Sequence, residues 1–184
     1  MTLPIYVYGQ PILRKVAVDI TKDYEGLNQF IADMWETMYK SDGIGLAAPQ
    51  VGKSIRLFVI DGTPLEEDDA SLKDFRKVFI NARLTERTGD DIVWTEGCLS
   101  IPNIREEVQR PAKVRINYYD ENWQYHDEYF EGVGARIIQH EYDHLDGIMF
   151  VDHISAIRRQ LLKSKLTAIS KGKADVAYKI KALK

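Results

Sequence analysis

Residues 132–147 read GVGARIIQHEYDHLDG, and the conformation of this stretch decides what the rest of the chain is built around. Ile137 and Ile138 before the HEYDH pentapeptide and Leu145 after it hold one side against a core. This predicts a helix from about Gly132 or Val133 to Gly147, a glycine suited to the C-cap. On a helix, residues four apart share a face with Cβ atoms about 5–6 Å apart. His140 and His144 can therefore both reach one divalent ion at metal–nitrogen distances of about 2.0–2.1 Å. Glu141 points about 100° around the helix, away from that coordination triangle. Its carboxylate can still reach a water beside the ion, as a general base must. The plain alternative is a solvated helix that carries two imidazoles by chance.

A catalytic site of this kind requires three protein donors and one open position. Three residues are candidates for the third donor. His126 falls in a hairpin, at a solvated strand position. His153 lies beyond the helix-ending glycine, where a hydrogen bond is its simplest task. Cys98 lies in WTEGCLSIP, at a strand end beside Gly97, which lets the backbone approach another group closely. It is the only cysteine, so no intrachain disulfide can form, and on its own it reads as a small buried hydrophobe.

Outward from this centre the chain alternates strands and terminal helices. An apolar stripe at helical spacing (Leu27, Phe30, Ile31, Met34, Trp35, Met38) predicts a helix over 25–41. SDGIGLAAPQVG (41–52) reads as a loop. IRLFVID (55–61), VFINARL (78–84) and DDIVWTEG (90–97) read as separate strands, and the acidic segment 62–76 as an exposed excursion. KVRINYYDENWQYHDEYF predicts a hairpin turning at 120–122. A final helix starts after Ser155, with Ile157, Leu161, Leu162, Leu166 and Ile169 on its face, and stops at Gly172. The lysine-rich tail 171–184 reads as frayed. The expected fold is a single α+β domain over 1–184, with mixed or antiparallel sheets around the central HExxH helix and a C-terminal helix.

Composition narrows the function. With 184 residues, 45% hydrophobic and 29% charged, the chain can bury one sizeable core. A net charge of −3 argues against a nucleic-acid binder, which would usually be basic. No apolar run approaches the ~18 residues a membrane span requires. The start, MTLPIYVYGQPILRK, lacks the pattern of a signal peptide, so a cytoplasmic location is expected.

Three stretches together, GIGLAAPQ (43–50), EGCLS (96–100) and QHEYDH (139–144), resemble the peptide deformylases of bacterial type, in their order and approximate spacing. The resemblance extends from the opening YGQPILRK to the final helix. It implies that Cys98, His140 and His144 hold the metal and that Glu141 is the catalytic acid/base. Gln50 and the backbone N–H of Leu99 are implied as the oxyanion-stabilising pair. It further implies iron(II) as the native ion, with zinc, nickel or cobalt able to replace it. The implied substrate is the N-formyl-methionine of new polypeptides, released as formate. Gly43 and Gly45 would let an extended substrate come near, with Ile44 in apolar contact and Gly97 alongside. Val133 and Ile137 resemble the pocket for the methionine side chain. Arg136 between them is expected to extend its charge to solvent.

The residues support that chemistry on their own terms. A thiolate donor weakens the acidification of water by the metal, so a neighbouring base such as Glu141 matters more. Arg105 and Arg110 could pair with Glu96 or Asp143 behind the ligands, or lie exposed at strand ends. Gln139 is open between the same supporting role and the helix surface. The tail lysines Lys171, Lys173, Lys179, Lys181 and Lys184 suggest contact with ribosomal RNA. Two rivals remain: a metallopeptidase with another third ligand, and a non-catalytic metal protein.

Overall fold

The computed structural model describes residues 1–184 and is α+β. The main sheet is antiparallel, with order β2-β3-β4-β5-β6. Its strands are β2 (Gly45–Ala47), β3 (Leu57–Asp61), β4 (Arg76–Cys98), β5 (Ile101–Tyr119) and β6 (Tyr125–Glu131). The helices are α1 (Leu27–Lys40), α2 (Gly132–Leu145) and α3 (Ala156–Ser170). A second, parallel pair joins β1 (Ile5–Tyr6) to β7 (Ile180–Lys181).

The 132–147 stretch forms the expected helix because both ends are capped and one face is apolar. At its start Gly132 adopts φ 64°, and Val133 N–H donates to Asp69 Oδ2 at 3.2 Å. At its end Gly147 adopts φ 73°, while Gly147 and Ile148 N–H close back onto His144 and Asp143 carbonyls. A Cβ at Gly147 would also lie 2.5 Å from the Arg14 carbonyl oxygen, so two independent constraints select glycine there. Val133, Ala135, Ile138, Tyr142 and Leu145 bury against Phe58, Phe79, Ile116 and Tyr118 of the sheet. Each large apolar side chain buried in this way contributes about 1.5–3 kcal/mol. That packing fixes the helix, and with it the direction of both histidines.

Several expectations are corrected. The 78–84 and 90–97 segments are one strand, β4, because Glu86, Arg87 and Thr88 stay paired with Arg115, Val114 and Lys113. The polar residues between them look like a turn but are ladder residues on an exposed stretch, and Arg115 bonds Glu86 at 3.0 Å. Register shifts, one spanning Gly89, let the long β4–β5 hairpin bend. The 41–52 loop contains β2 and a 3-10 turn, Ala48–Val51. The acidic excursion is anchored: Leu72 and Phe75 are buried, and Asp69 caps α2. Only Leu162, Leu166 and Ile169 of the α3 face are buried; Ile157 and Leu161 are 76% and 65% exposed. The tail is not frayed, since β7 pairs with β1 and Leu183 N–H donates to Ser170 O. No helix is long and apolar enough to cross a membrane.

Candidate metal centre

Three elements converge on one point. His140 and His144 project from α2, Cys98 ends β4, and Gln50 comes from the 3-10 turn after β2. Cys98 pairs with Ile101, so Leu99 and Ser100 form the two-residue turn of the β4–β5 hairpin. The donor atoms of Cys98, His140 and His144 all lie within 4.8 Å of one another, with Cys98 Sγ 3.4 Å from His144 Nε2. Gln50 Nε2 donates to Cys98 Sγ at 3.4 Å and to Ser100 Oγ at 3.1 Å. Gln50 Oε1 accepts the Ala47 N–H at 2.9 Å, which fixes which way the amide faces.

A shell of charge lies behind the ligands. His140 Nδ1 bonds Glu96 Oε1 at 2.8 Å, leaving its other ring nitrogen facing the site. Arg110 grips Glu96 with two nitrogens at 2.7 and 2.9 Å and reaches Asp143 at 2.8 Å. His153 closes the row on Asp143 at 2.7 Å, the hydrogen bond expected of it. Arg110 is thus the supporting arginine, whereas Arg105 is exposed without an ion pair. Arg136 does not reach solvent. It is 7% exposed and donates to Glu96 Oε2, Val108 O and Ile92 O, because the carboxylate and two strand carbonyls offer a buried cation its partners. Gln139 bonds Pro111 O and Ala135 O, holding helix to strand instead of touching a ligand. His126 bonds Asp120 in the hairpin and takes no part in the cluster.

The electrostatics match the donor set. Burial pushes the Cys98 thiol up, but the charge of His144 and bonds to both histidines outweigh it, lowering its pKa to about 5. Burial would lower His140; the Cys98 and Glu96 partners raise it well above the ordinary value. Glu141 is 4% exposed and its Oε2 has no partner, nor does His144 Nδ1. Burial raises Glu141 to about 7, against the opposing pull of His140 and His144. A buried carboxylate oxygen without a partner is costly. Beside one sulfur and two nitrogen donors it fits a divalent ion with an oxygen ligand to share.

The glycines make room for this centre. A Cβ at Gly45 would lie 2.8 Å from Glu141 Cδ, and one at Gly43 would lie 2.9 Å from Leu99 Cδ1. At Gly97 the nearest atom is Arg105 Nη1 at 3.3 Å. At the N-terminal end of α2, a cavity of about 370 Å³ is lined by Ile92, Trp94, Val133 and Arg136 among others. Ile137 packs in the core, and Ile44 lies partly buried against the same cluster.

Comparison with known proteins agrees with this geometry. The family model for polypeptide deformylase matches residues 2–160. The chain belongs to the peptide deformylase family. It is 50% identical over 188 residues to the peptide deformylase of Christiangramia forsetii, covering 98% of this chain and 96% of the relative. With that of Cytophaga hutchinsonii it shares 51% over 181 residues, covering 98% and 97%. The crystal structure of peptide deformylase from Thermotoga maritima superposes with a TM-score of 0.76 at 41% identity, covering 84% of this chain and 99% of that one. A peptide deformylase structure from Legionella pneumophila gives 0.81 at 33% identity, covering 94% and 98%. The chain is therefore a metal-dependent hydrolase that removes the formyl group from N-terminal formyl-methionine of new polypeptides, releasing formate.

Sequence reasoning left Ser100, Trp94 and the buried role of Arg136 unassigned. The serine is within EGCLS and had a signal. Arg136 looked misplaced because its three acceptors come from strands remote in sequence.

Proposed function

We propose that Cys98, His140 and His144 hold the ion, that Glu141 moves the proton, and that Gln50 with Leu99 N–H receives the oxyanion. The observation that carries this reading is the three-donor cluster beside the unpartnered Glu141 Oε2. When bound, a divalent ion supplies Lewis acidity and lowers the pKa of a coordinated water. Glu141 accepts a proton from the attacking water and delivers it to the leaving amine. Gln50 Nε2 is held by Ala47 through its own amide oxygen, and Leu99 N–H donates to no acceptor within the chain. Leu99 N–H is a free donor, and Gln50 Nε2 becomes one by giving up its long 3.4 Å contact with Cys98 Sγ; a donor of this kind is worth about 3 kcal/mol to a developing oxyanion. β2 is an edge strand, so Gly43, Ile44 and Gly45 offer an extended peptide a backbone to pair with, and Gly97, beside Cys98, is proposed to lie along the same peptide. The methionine side chain would enter beside Val133 and Ile137.

One thiolate with two imidazoles accommodates iron(II), zinc, nickel or cobalt, and iron(II) is the proposed native ion. The proposed setting is the cytoplasm, and the exposed Lys171, Lys173 and Lys184 are proposed to touch ribosomal RNA. Replacing these three lysines with glutamate should weaken ribosome co-sedimentation; unchanged co-sedimentation removes that part.

The test of the roles is formate release from a formyl-Met tripeptide beside its acetyl counterpart, on anaerobically purified protein of known metal content. The formyl peptide alone should turn over. Glu141→Ala should retain metal and lose turnover by about 10²–10⁴-fold. Full turnover in that variant would remove Glu141 from the reaction.

A further inference from the structure

The C-terminal tail reaches the catalytic turn. Tyr178 lies beyond the residues matched by the family model, between α3 and β7. Its hydroxyl donates to the Leu99 carbonyl at 2.9 Å, and its ring packs half-buried in the cluster that also receives the Leu99 side chain. Two further bonds hold the tail in place. Asn103 Nδ2 donates to Asp175 O at 3.1 Å, and Ile5 N–H donates to Lys179 O at 2.8 Å. Tyr178 is thus delivered from an anchored segment.

Turn residues 99 and 100 are gripped on every side but one. Cys98 is fixed by the metal cluster, and Ser100 Oγ receives Gln50. Ser100 O accepts the Tyr8 N–H at 2.8 Å, and Leu99 O accepts Tyr178. With Cys98 held before it and its own carbonyl held after it, Leu99 has little freedom in φ and ψ. Its N–H, which donates to nothing in the chain, is thereby aimed.

We propose that Tyr178 is a positioning residue of the active site: by holding the Leu99 carbonyl it sets the direction of the Leu99 N–H as oxyanion donor. This rests on the oxyanion role proposed for Leu99 and Gln50 above. It makes the tail part of the catalytic turn, as well as a strand that closes a two-stranded sheet.

The experiment compares Tyr178→Phe, Gln50→Ala and the double variant, as zinc-loaded full-length proteins with equal metal content. Tyr178→Phe keeps the ring and its packing, so folding is preserved. One neutral hydrogen bond predicts that kcat for the formyl peptide falls about three- to tenfold with KM unchanged and the fold kept. The Leu99 amide proton should exchange faster with solvent by NMR, a readout independent of turnover. The double variant should lose less than the product of the single losses, because both act on one oxyanion. Unchanged kcat and unchanged Leu99 exchange in Tyr178→Phe overturn the proposal. A Gln50→Ala variant with full kcat would instead overturn the oxyanion pair. A lower kcat in Tyr178→Phe would then still assign the positioning role through Leu99 alone.

Discussion

At Glu141, burial and two neighbouring imidazoles pull the acidity in opposite directions, and burial prevails, raising the carboxyl to about 7. A dication between Cys98, His140 and His144 adds positive charge a short distance away and draws that value back down. As the proposed general base Glu141 must be deprotonated, so activity should fall as pH drops through its value in the loaded enzyme. The acidic limb of kcat/KM is therefore expected below pH 7. Glu141→Gln should remove that limb along with most of the rate. A limb at or above pH 7 in metal-loaded protein would contradict the charge argument. At this scale the sequence was most legible where donors are close along the chain: His140, Glu141 and His144 follow from helical spacing alone. Cys98 required the family resemblance, because three candidates fitted the spacing argument. Tyr178 carried no signal, since its contact joins residues 79 positions apart through a backbone carbonyl.

Among the elements, the β4–β5 hairpin and α2 meet β2, and the spacing between them is set by one missing side chain. A Cβ at Gly45 would lie 2.8 Å from Glu141 Cδ, and both belong to regular elements that cannot shift independently. Gly45→Ala must push either the carboxylate off its position or β2 off α2. It is expected to lower kcat at least about tenfold, in line with the cost of small misplacements at a reacting centre. Its stability cost should stay within about 1–3 kcal/mol for overpacking. Wild-type kcat in that variant would show that Glu141 has room to spare. The elements themselves were legible where periodicity was strong, as in α1 and α2. They were obscured where exposed charge interrupts a strand: residues 83–91 look like a turn, yet the ladder continues through them, with Arg115 paired to Glu86 across it. The same logic explains 62–76, whose acidic composition concealed Leu72 and Phe75 as anchors. Local polarity reports solvent on one face and says little about the other.

For the molecule as a whole, the Cys98–His140–His144 cluster lies where all three hydrophobic clusters come together, since α2 packs in one, Leu99 against the second and Cys98 against the third. The buried row Glu96–Arg110–Asp143, ended by the exposed His153, ties α2 to the long hairpin at that junction. Burial would raise both carboxylates. In Glu96 the His140 and Arg110 bonds outweigh it, and in Asp143 the His153 bond and the Arg110 charge do, so both are held below their ordinary values of 4.5 and 3.8. A carboxylate depressed in the folded state takes up protons first in the unfolded chain. Its stabilisation is complete above the unfolded value and is lost as pH falls from there toward the folded value. In metal-free protein these two carboxylates should therefore contribute their full stabilisation down to about pH 4.5 and withdraw it below that. Glu96→Gln should start from a lower plateau, because Arg110 and Arg136 lose a buried partner, by about 3–5 kcal/mol. Its decline on acidification should be shallower, because one of the two depressed groups is gone. Adding a divalent ion at neutral pH should raise the melting temperature of the parent protein, through preferential binding to the folded state. The rise should be smaller in Glu96→Gln, where His140 lacks the group that orients it, at about 10–100-fold weaker affinity. Parallel acid-unfolding curves for the two proteins, with equal shifts on metal addition, would mean that the row contributes packing alone and that the metal centre is indifferent to the charge behind it.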